Sequence, residues 1–186
     1  MKMLTASALV LTLFATPASA GESLCDWHDQ ERVLAALTDQ SAGDFAGDIS
    51  VQIEAETVST TKAFEDNRAT LTAEGVLSDA FLGDLVRDPI ALTLGAPIYD
   101  VDAVDDLLWT AETEWIADAV SMTPCGPEAL PQLSGAFVGG EGLEGRVTLI
   151  PYFTDKIVMI FEIDYSGEWG LSEITGTALM EPAPKD

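Results

Sequence analysis

The chain has 186 residues, and its 32 acidic side chains outnumber 8 basic ones to give a formal net charge of −24. This charge excludes nucleic acid as a partner, since phosphate binding requires a basic surface, and it opposes binding to an anionic membrane surface. The length suits one compact domain with a single core.

Residues 1–20 have the pattern of a secretory signal peptide. Lys2 supplies a positive start, residues 8–15 form an apolar run, and Ala18 and Ala20 are small residues at the −3 and −1 positions of a cleavage site. The run is shorter than the roughly 20 residues needed to span a bilayer. We therefore expect cleavage after Ala20 and a periplasmic or secreted protein that is not inserted in a membrane. Removal of this segment takes Lys2 and no acid, so the charge becomes −25.

Residues 21–180 are predicted to form a single domain that begins with a helix. Ser23 is the expected helix cap, with an acidic residue three positions later as in a capping box, and apolar side chains recur at helical spacing as far as Leu37. The alternation of apolar and polar residues over 48–56 then predicts a strand. The last residues, 181–186, are predicted to be a disordered tail.

Four aspartates lie between Tyr99 and Trp109 and raise the question of a cation site. An EF-hand calcium loop that started at Asp100 would need an oxygen ligand at its fifth position and glutamate at its twelfth. The chain has valine and alanine there. Acids in the first turn of a helix are instead stabilised by the helix dipole, so we predict a helix from Asp102 to about Met122 and no metal site.

Three carboxylates are candidates for acid/base catalysis. Asp118 falls at the edge of the apolar stripe of that predicted helix, where desolvation would raise its pKa as a general acid or base requires. Glu162 and Asp164 lie on the polar face of a predicted strand and would enter a pocket if that face were concave. The simpler interpretation is that all three are solvated. The single histidine, His28, is expected to be exposed on the first helix.

A second apolar face on the helix predicted from Asp102 is a candidate binding patch. It consists of Trp109, Ile116 and Val120, which lie off the main apolar stripe. Burial of these side chains in a small core is the competing interpretation.

The C-terminal third predicts an antiparallel meander of three strands, residues 146–153, 156–165 and 168–180, because apolar and polar residues alternate between turn signals. Helices first and a sheet last is an α+β arrangement. Its order is compatible with a cystatin-like fold or with the cone-shaped fold of nuclear-transport-factor-like domains. Such a likeness of element order implies no function.

Cys25 and Cys125 are the only cysteines. In an oxidising compartment two cysteines predict one disulfide. Two thiols and one histidine make a poor zinc site, and the separation excludes a C-x-x-C redox pair.

No motif for a nucleophile, a cofactor or a phosphate loop occurs: G-x-S-x-G is absent, and the glycine-rich residues 139–145 contain two glutamates and no lysine. We therefore expect a non-enzymatic module without a cofactor that binds a small ligand or a protein partner. The first alternative is a small enzyme with a pocket of carboxylates alone, namely Asp118, Glu162 and Asp164. The second is a surface that binds divalent cations.

Overall fold

The computed structural model describes residues 21–55, 58–86, 88–100, 125, 127–140, 142–167 and 170–184. Antiparallel strands dominate this part of the chain. The strands are β1 (Asp44–Ala55), β2 (Val58–Leu71), β3 (Val76–Asp79), β4 (Ile90–Ala91), β5 (Thr93–Leu94), β6 (Leu133–Val138), β7 (Leu143–Phe153), β8 (Lys156–Gly167) and β9 (Gly170–Pro182). The described helices are α1 (Gln30–Ser41) and α2 (Ala80–Gly83), with a short 3-10 turn at Pro127–Ala129.

The strands form one nearly closed, barrel-like sheet. Their order is β4-β3-β2-β1-β9-β8-β7-β6-β5, so β9 returns to pair with β1 while the other neighbours follow the chain. The two outermost strands, β4 and β5, are separated only by Leu92, whose backbone N–H donates to Gly75 at 2.7 Å. The first and last strands of the sheet are therefore consecutive in the chain and are linked directly through Leu92.

An opening remains beside β2. Strand β3 pairs with β2 only at residues 69–71, so the preceding part of β2 has β1 on one side and no strand of the described chain on the other. Helix α2 follows β3 directly and contributes Leu82 to the main core. The Phe81 ring lies 5.0 Å from the Phe64 ring and 5.1 Å from the Phe161 ring.

The inside of the sheet is packed with side chains. Alternate residues of every long strand point inward, as Ile157, Met159, Phe161 and Ile163 do on β8. Gly176 lies under the Phe161 ring, so a side chain at position 176 would overlap that ring. Helix α1 closes the end of the sheet at which β1 begins, because its apolar side chains are buried in the same core (Val33, Leu34 and Leu37).

A second apolar cluster covers the outer face of β7, β8 and β9. It contains Leu130, Ile150, Tyr152, Val158, Ile160 and Leu179, all buried, with Tyr99, Phe153 and the two cysteines packed against it. Cys25 and Cys125 form a disulfide with a Cα–Cα distance of 5.8 Å, as predicted. The disulfide therefore fastens the two irregular segments around it to this outer face.

The prediction of an α+β fold with N-terminal helices is wrong. The described chain is mostly strand, its helices are short, and the sheet curls onto its own side chains, whereas a cystatin-like or nuclear-transport-factor-like fold wraps a sheet around a helix. The C-terminal meander itself is present as β7, β8 and β9. Most of strand β2 was not predicted. Its first half is largely exposed on both faces, so the sequence there lacks the alternation of apolar and polar residues that identifies a strand.

Helix boundaries and the tail also differ from the prediction. Ser23 forms an isolated bridge with Phe153, and the cap of α1 is Asp29, whose carboxylate accepts from the Arg32 N–H at 2.8 Å. Strand β9 runs on to Pro182, so residues 181 and 182, which were predicted to belong to a disordered tail, lie in a strand. The helix predicted from Asp102 to about Met122 lies outside the described residues. No described helix is long and apolar enough to cross a membrane.

Candidate binding site

Two of the predicted catalytic carboxylates lie on the outer face of the sheet. Ile163 and Phe161 on β8 point inward, so Glu162 and Asp164 between and beside them point outward. Asp164 is exposed and Glu162 is half-buried. The third candidate, Asp118, and the predicted binding patch (Trp109, Ile116 and Val120) fall outside the described residues.

Asp164 belongs to a row of carboxylates that crosses four strands. The register places Glu54 opposite Glu173, Glu173 opposite Asp164, and Asp164 opposite Glu144. Like charges directly opposite each other in a sheet repel. Within the described ranges no group of three or more His, Cys, Asp or Glu side chains is arranged to hold a metal ion.

Glu162, two residues before Asp164 on β8, lies in a different environment. Arg146 is its direct partner on β7, and the Tyr99 hydroxyl is buried close by without reaching the geometry of a hydrogen bond. Burial, followed by the proximity and negative charge of Glu162, raises the pKa of Tyr99 well above its usual range, and Arg146 opposes this shift. The phenol therefore stays protonated at neutral pH, which suits a packing role on the outer cluster better than proton transfer.

The described part of the chain contains a cleft of about 250 Å³ at the end of the sheet where β6 begins. Three irregular segments supply its walls: the residues before α1, the residues after β5, and the residues before β6. The lining residues are Trp27, His28, Leu94, Gly95, Pro97, Glu128, Leu130 and Pro131.

Two of these walls are held together covalently. Trp27 and His28 follow Cys25 closely, Glu128 to Pro131 follow Cys125 closely, and the disulfide joins the two cysteines. The Asp26 N–H also donates to the Ala129 carbonyl at 2.8 Å, with Asp26 in the left-handed region at φ 61°. The relative position of these walls is therefore set before any ligand arrives.

Two glutamine side chains fix the third wall. The buried Gln132 accepts from the N–H groups of Ile98 at 2.7 Å and Tyr99 at 3.1 Å, and its amide donates to the Tyr99 carbonyl at 2.8 Å. Gln30, the first residue of α1, accepts from the Leu94 N–H at 2.8 Å. Irregular backbone that would otherwise be mobile is thus held by satisfied hydrogen bonds.

The lining of the cleft is mixed, with polar and apolar surface in similar amounts. Leu130 and Pro131 are buried, whereas His28, Pro97 and Glu128 are exposed. Trp27 is half-buried, and the Arg32 guanidinium lies 3.8 Å from the centre of its ring. The volume is just below the range of about 300–1,000 Å³ typical of small-molecule sites. The space therefore suits a single side chain or a small group better than a large ligand.

Sequence reasoning did not identify this cleft, and most of the residues that shape it carry no motif. Gln132 and Gln30 act through contacts with residues more than 30 and 60 positions away. The available signal was the density of prolines around Cys125 and the tryptophan two residues after Cys25. His28 is exposed, as expected, but it lines the cleft and precedes α1.

Comparison with known proteins gives no assignment. No protein-family model, no curated protein and no solved structure matches this chain.

Proposed function

We propose that the protein is a non-enzymatic binding module, periplasmic or secreted, whose cleft holds an apolar side chain of a cationic peptide or protein segment. The observation that carries this proposal is the fixed position of the three cleft walls, which one disulfide and two glutamine side chains hold in place. A site that is already ordered loses less conformational entropy when it binds, so more of the contact energy becomes affinity.

The charge of the protein supports a cationic partner. Acids exceed bases by 24, and Glu128 contributes a carboxylate at the cleft rim itself. A field of one sign raises the association rate of oppositely charged partners and rejects those of like charge. The apolar floor around Leu130 and Pro131 would take the anchoring side chain, and Trp27 would supply a rigid contact surface of the kind that dominates interface energies.

The two alternative functions gain less support. Glu162 and Asp164 lie on the outer face of β8 and are separate from the cleft residues, and neither carboxylate lines that cleft. The row of acids that includes Asp164 lies on an exposed surface, and within the described ranges these side chains are not arranged to hold a metal ion. A binding function therefore gives this cleft a role, whereas catalysis by these carboxylates or cation binding by the row of acids would leave it without one.

The proposal is tested with matched synthetic peptides. We expect an acetylated Lys-Pro-Leu-Lys peptide to shift the Trp27 indole N–H resonance in NMR spectra of the oxidised protein. The same peptide with glutamates in place of lysines, or with glycine in place of leucine, is expected to produce no saturable shift. Trp27→Ala should weaken binding of the lysine peptide by about tenfold or more in calorimetry, the loss expected for a central tryptophan.

Val138→Ala is the control for this substitution. Val138 is 73% exposed near the turn between β6 and β7, at the opposite end of the sheet from the cleft, and its truncation should leave binding unchanged. Equal binding by the lysine and glutamate peptides, or full affinity in Trp27→Ala, would refute the proposed site.

A further inference from the structure

The segment that leads into the first cleft wall is held against the turn between β7 and β8. Ser23 forms an antiparallel bridge with Phe153. Glu22 makes two hydrogen bonds with the buried Thr154 in that turn: its carbonyl accepts from the Thr154 N–H at 3.0 Å, and its N–H donates to the Thr154 hydroxyl at 3.1 Å. The backbone nitrogen of Gly21, one residue earlier, therefore has a fixed position beside the turn.

Asp155, the other residue of this turn, has one carboxylate oxygen with a donor and one without. The Gly21 N–H donates to Oδ2 at 3.2 Å. The Oδ1 atom is buried and meets no donor within the described ranges, and the adjacent Lys156 is paired with Glu181 on β9. A buried acceptor without a donor costs free energy, so native structures seldom leave one. This site needs a further donor next to Oδ1.

The Oδ1 atom of Asp155 lies directly against the backbone of Gly21. A β-carbon at position 21 would overlap Oδ1 and lie 2.8 Å from the Thr154 hydroxyl oxygen. Glycine is therefore the residue that lets the carboxylate come so close to the chain. The Gly21 nitrogen can supply the donor that Oδ1 lacks, provided that this nitrogen carries more than one proton.

The predicted cleavage after Ala20 gives this nitrogen the additional protons. Hydrolysis of the Ala20–Gly21 peptide bond by a signal peptidase breaks the C–N bond and consumes one water molecule. The water oxygen becomes part of the new Ala20 carboxylate, and both water protons end on the Gly21 nitrogen as an ammonium group. A peptide nitrogen has one N–H, whereas an ammonium group has three donors and a positive charge.

We propose that the α-ammonium group of Gly21 in the cleaved protein forms an ion pair with both carboxylate oxygens of Asp155. The pair exists only after residues 1–20 are removed, because the same nitrogen in the uncleaved chain is neutral and donates once. Charge-assisted hydrogen bonds are stronger than neutral ones, so cleavage makes the folded state more stable. This pairing depends on the predicted cleavage site and is independent of the ligand that the cleft binds.

The position of cleavage is the first test. The full chain is exported by bacterial cells through its own residues 1–20, and the product is identified by intact mass and N-terminal sequencing. We expect a chain that begins at Gly21. A chain that begins at another residue, or one that keeps residues 1–20, would overturn the proposal because no ammonium group would then lie beside Asp155.

The stability of three forms of the cleaved chain tests the role of the charge. One form begins with a free Gly21, the second carries an acetyl group on Gly21, and the third retains Ala20. Acetylation removes the charge, whereas the retained Ala20 keeps the charge and moves it one residue away. We expect each change to raise the unfolding equilibrium constant in urea denaturation by about tenfold. Full stability of either altered form would rule out a specific pair between the Gly21 ammonium group and Asp155.

Asp155→Asn tests whether Asp155 is the partner of this ammonium group. Asparagine has nearly the same shape but no charge, so acetylation of Gly21 in this variant should change the unfolding equilibrium constant by less than about twofold. Asp164→Asn, the same substitution at an exposed position of β8, is the matched control and should keep the full effect of acetylation. An equal effect of acetylation in the two variants would refute the pairing.

Discussion

Asp79 shows how one buried carboxylate can organise a junction in this protein. It caps α2 by accepting from the Leu82 N–H at 2.9 Å, and it also accepts from the Asn67 side-chain amide at 2.6 Å. Asn67 in turn accepts from the Phe81 N–H at 3.1 Å. Desolvation by burial raises the pKa of Asp79 above its ordinary value of 3.8, although the hydrogen bonds that Asp79 accepts from Leu82 and Asn67, and the nearby Phe81 N–H, oppose the shift.

The raised pKa predicts a characteristic pH dependence of stability. Between pH 3.8 and the higher folded-state pKa, the folded protein holds this proton more tightly than the unfolded chain does. The contribution of Asp79 to stability is therefore complete below that window and declines as pH rises through it. We expect the unfolding free energy of the unchanged protein, minus that of Asp79→Asn, to fall across the window and then level off in urea denaturation. A difference that rises with pH would show that the folded-state pKa is lowered instead.

Gly176 is a second residue whose role depends on a single contact. A β-carbon at this position would overlap the Phe161 ring, which is fully buried. Gly176→Ala is expected to lower the unfolding free energy by about 1–3 kcal/mol, the usual cost of overpacking a core. Gly83→Ala is the control because nothing lies within 4 Å of a β-carbon there. Equal melting temperatures for the two variants would mean that Phe161 can move aside at little cost.

At the scale of the elements, the strands with a buried apolar face could be predicted from the sequence, and the strand that is mostly exposed could not. Strands β7, β8 and β9 were predictable because apolar residues recur at every second position along their inward face and the turns between them are short. Strand β2 was not, since its residues 58–66 are exposed on both faces. The cleft walls are irregular segments whose shape depends on contacts between distant residues, and local patterns contain no information about such contacts.

Gln132 provides the test of how the third cleft wall is held. Gln132→Met keeps the volume of the side chain but removes the acceptor for Ile98 and Tyr99 and the donor for the Tyr99 carbonyl. Because unsatisfied buried groups cost about 1–3 kcal/mol each, we expect a loss of about 2–4 kcal/mol in unfolding free energy. Hydrogen exchange at residues 98 and 99 should also accelerate. Gln52→Met, on the exposed face of β1, is the matched control and should change neither quantity.

At the scale of the whole molecule, the disulfide connects the fold to the proposed function. It spans 100 residues of sequence, a separation at which the loop-closure estimate is a stabilisation of about 4–5 kcal/mol. Its two ends lead directly into two walls of the cleft. The same covalent bond that stabilises the protein thus sets the geometry of the candidate site, on a molecule with a net charge of −24.

Selection from a random peptide library on the oxidised protein, run in parallel on Trp27→Ala, tests the proposed cleft most directly. The unchanged protein should enrich peptides in which lysine or arginine flanks an apolar residue, and Trp27→Ala should not enrich them. The same sequences on both proteins, or acidic sequences on the unchanged protein, would contradict a cationic, apolar-anchored ligand in the cleft.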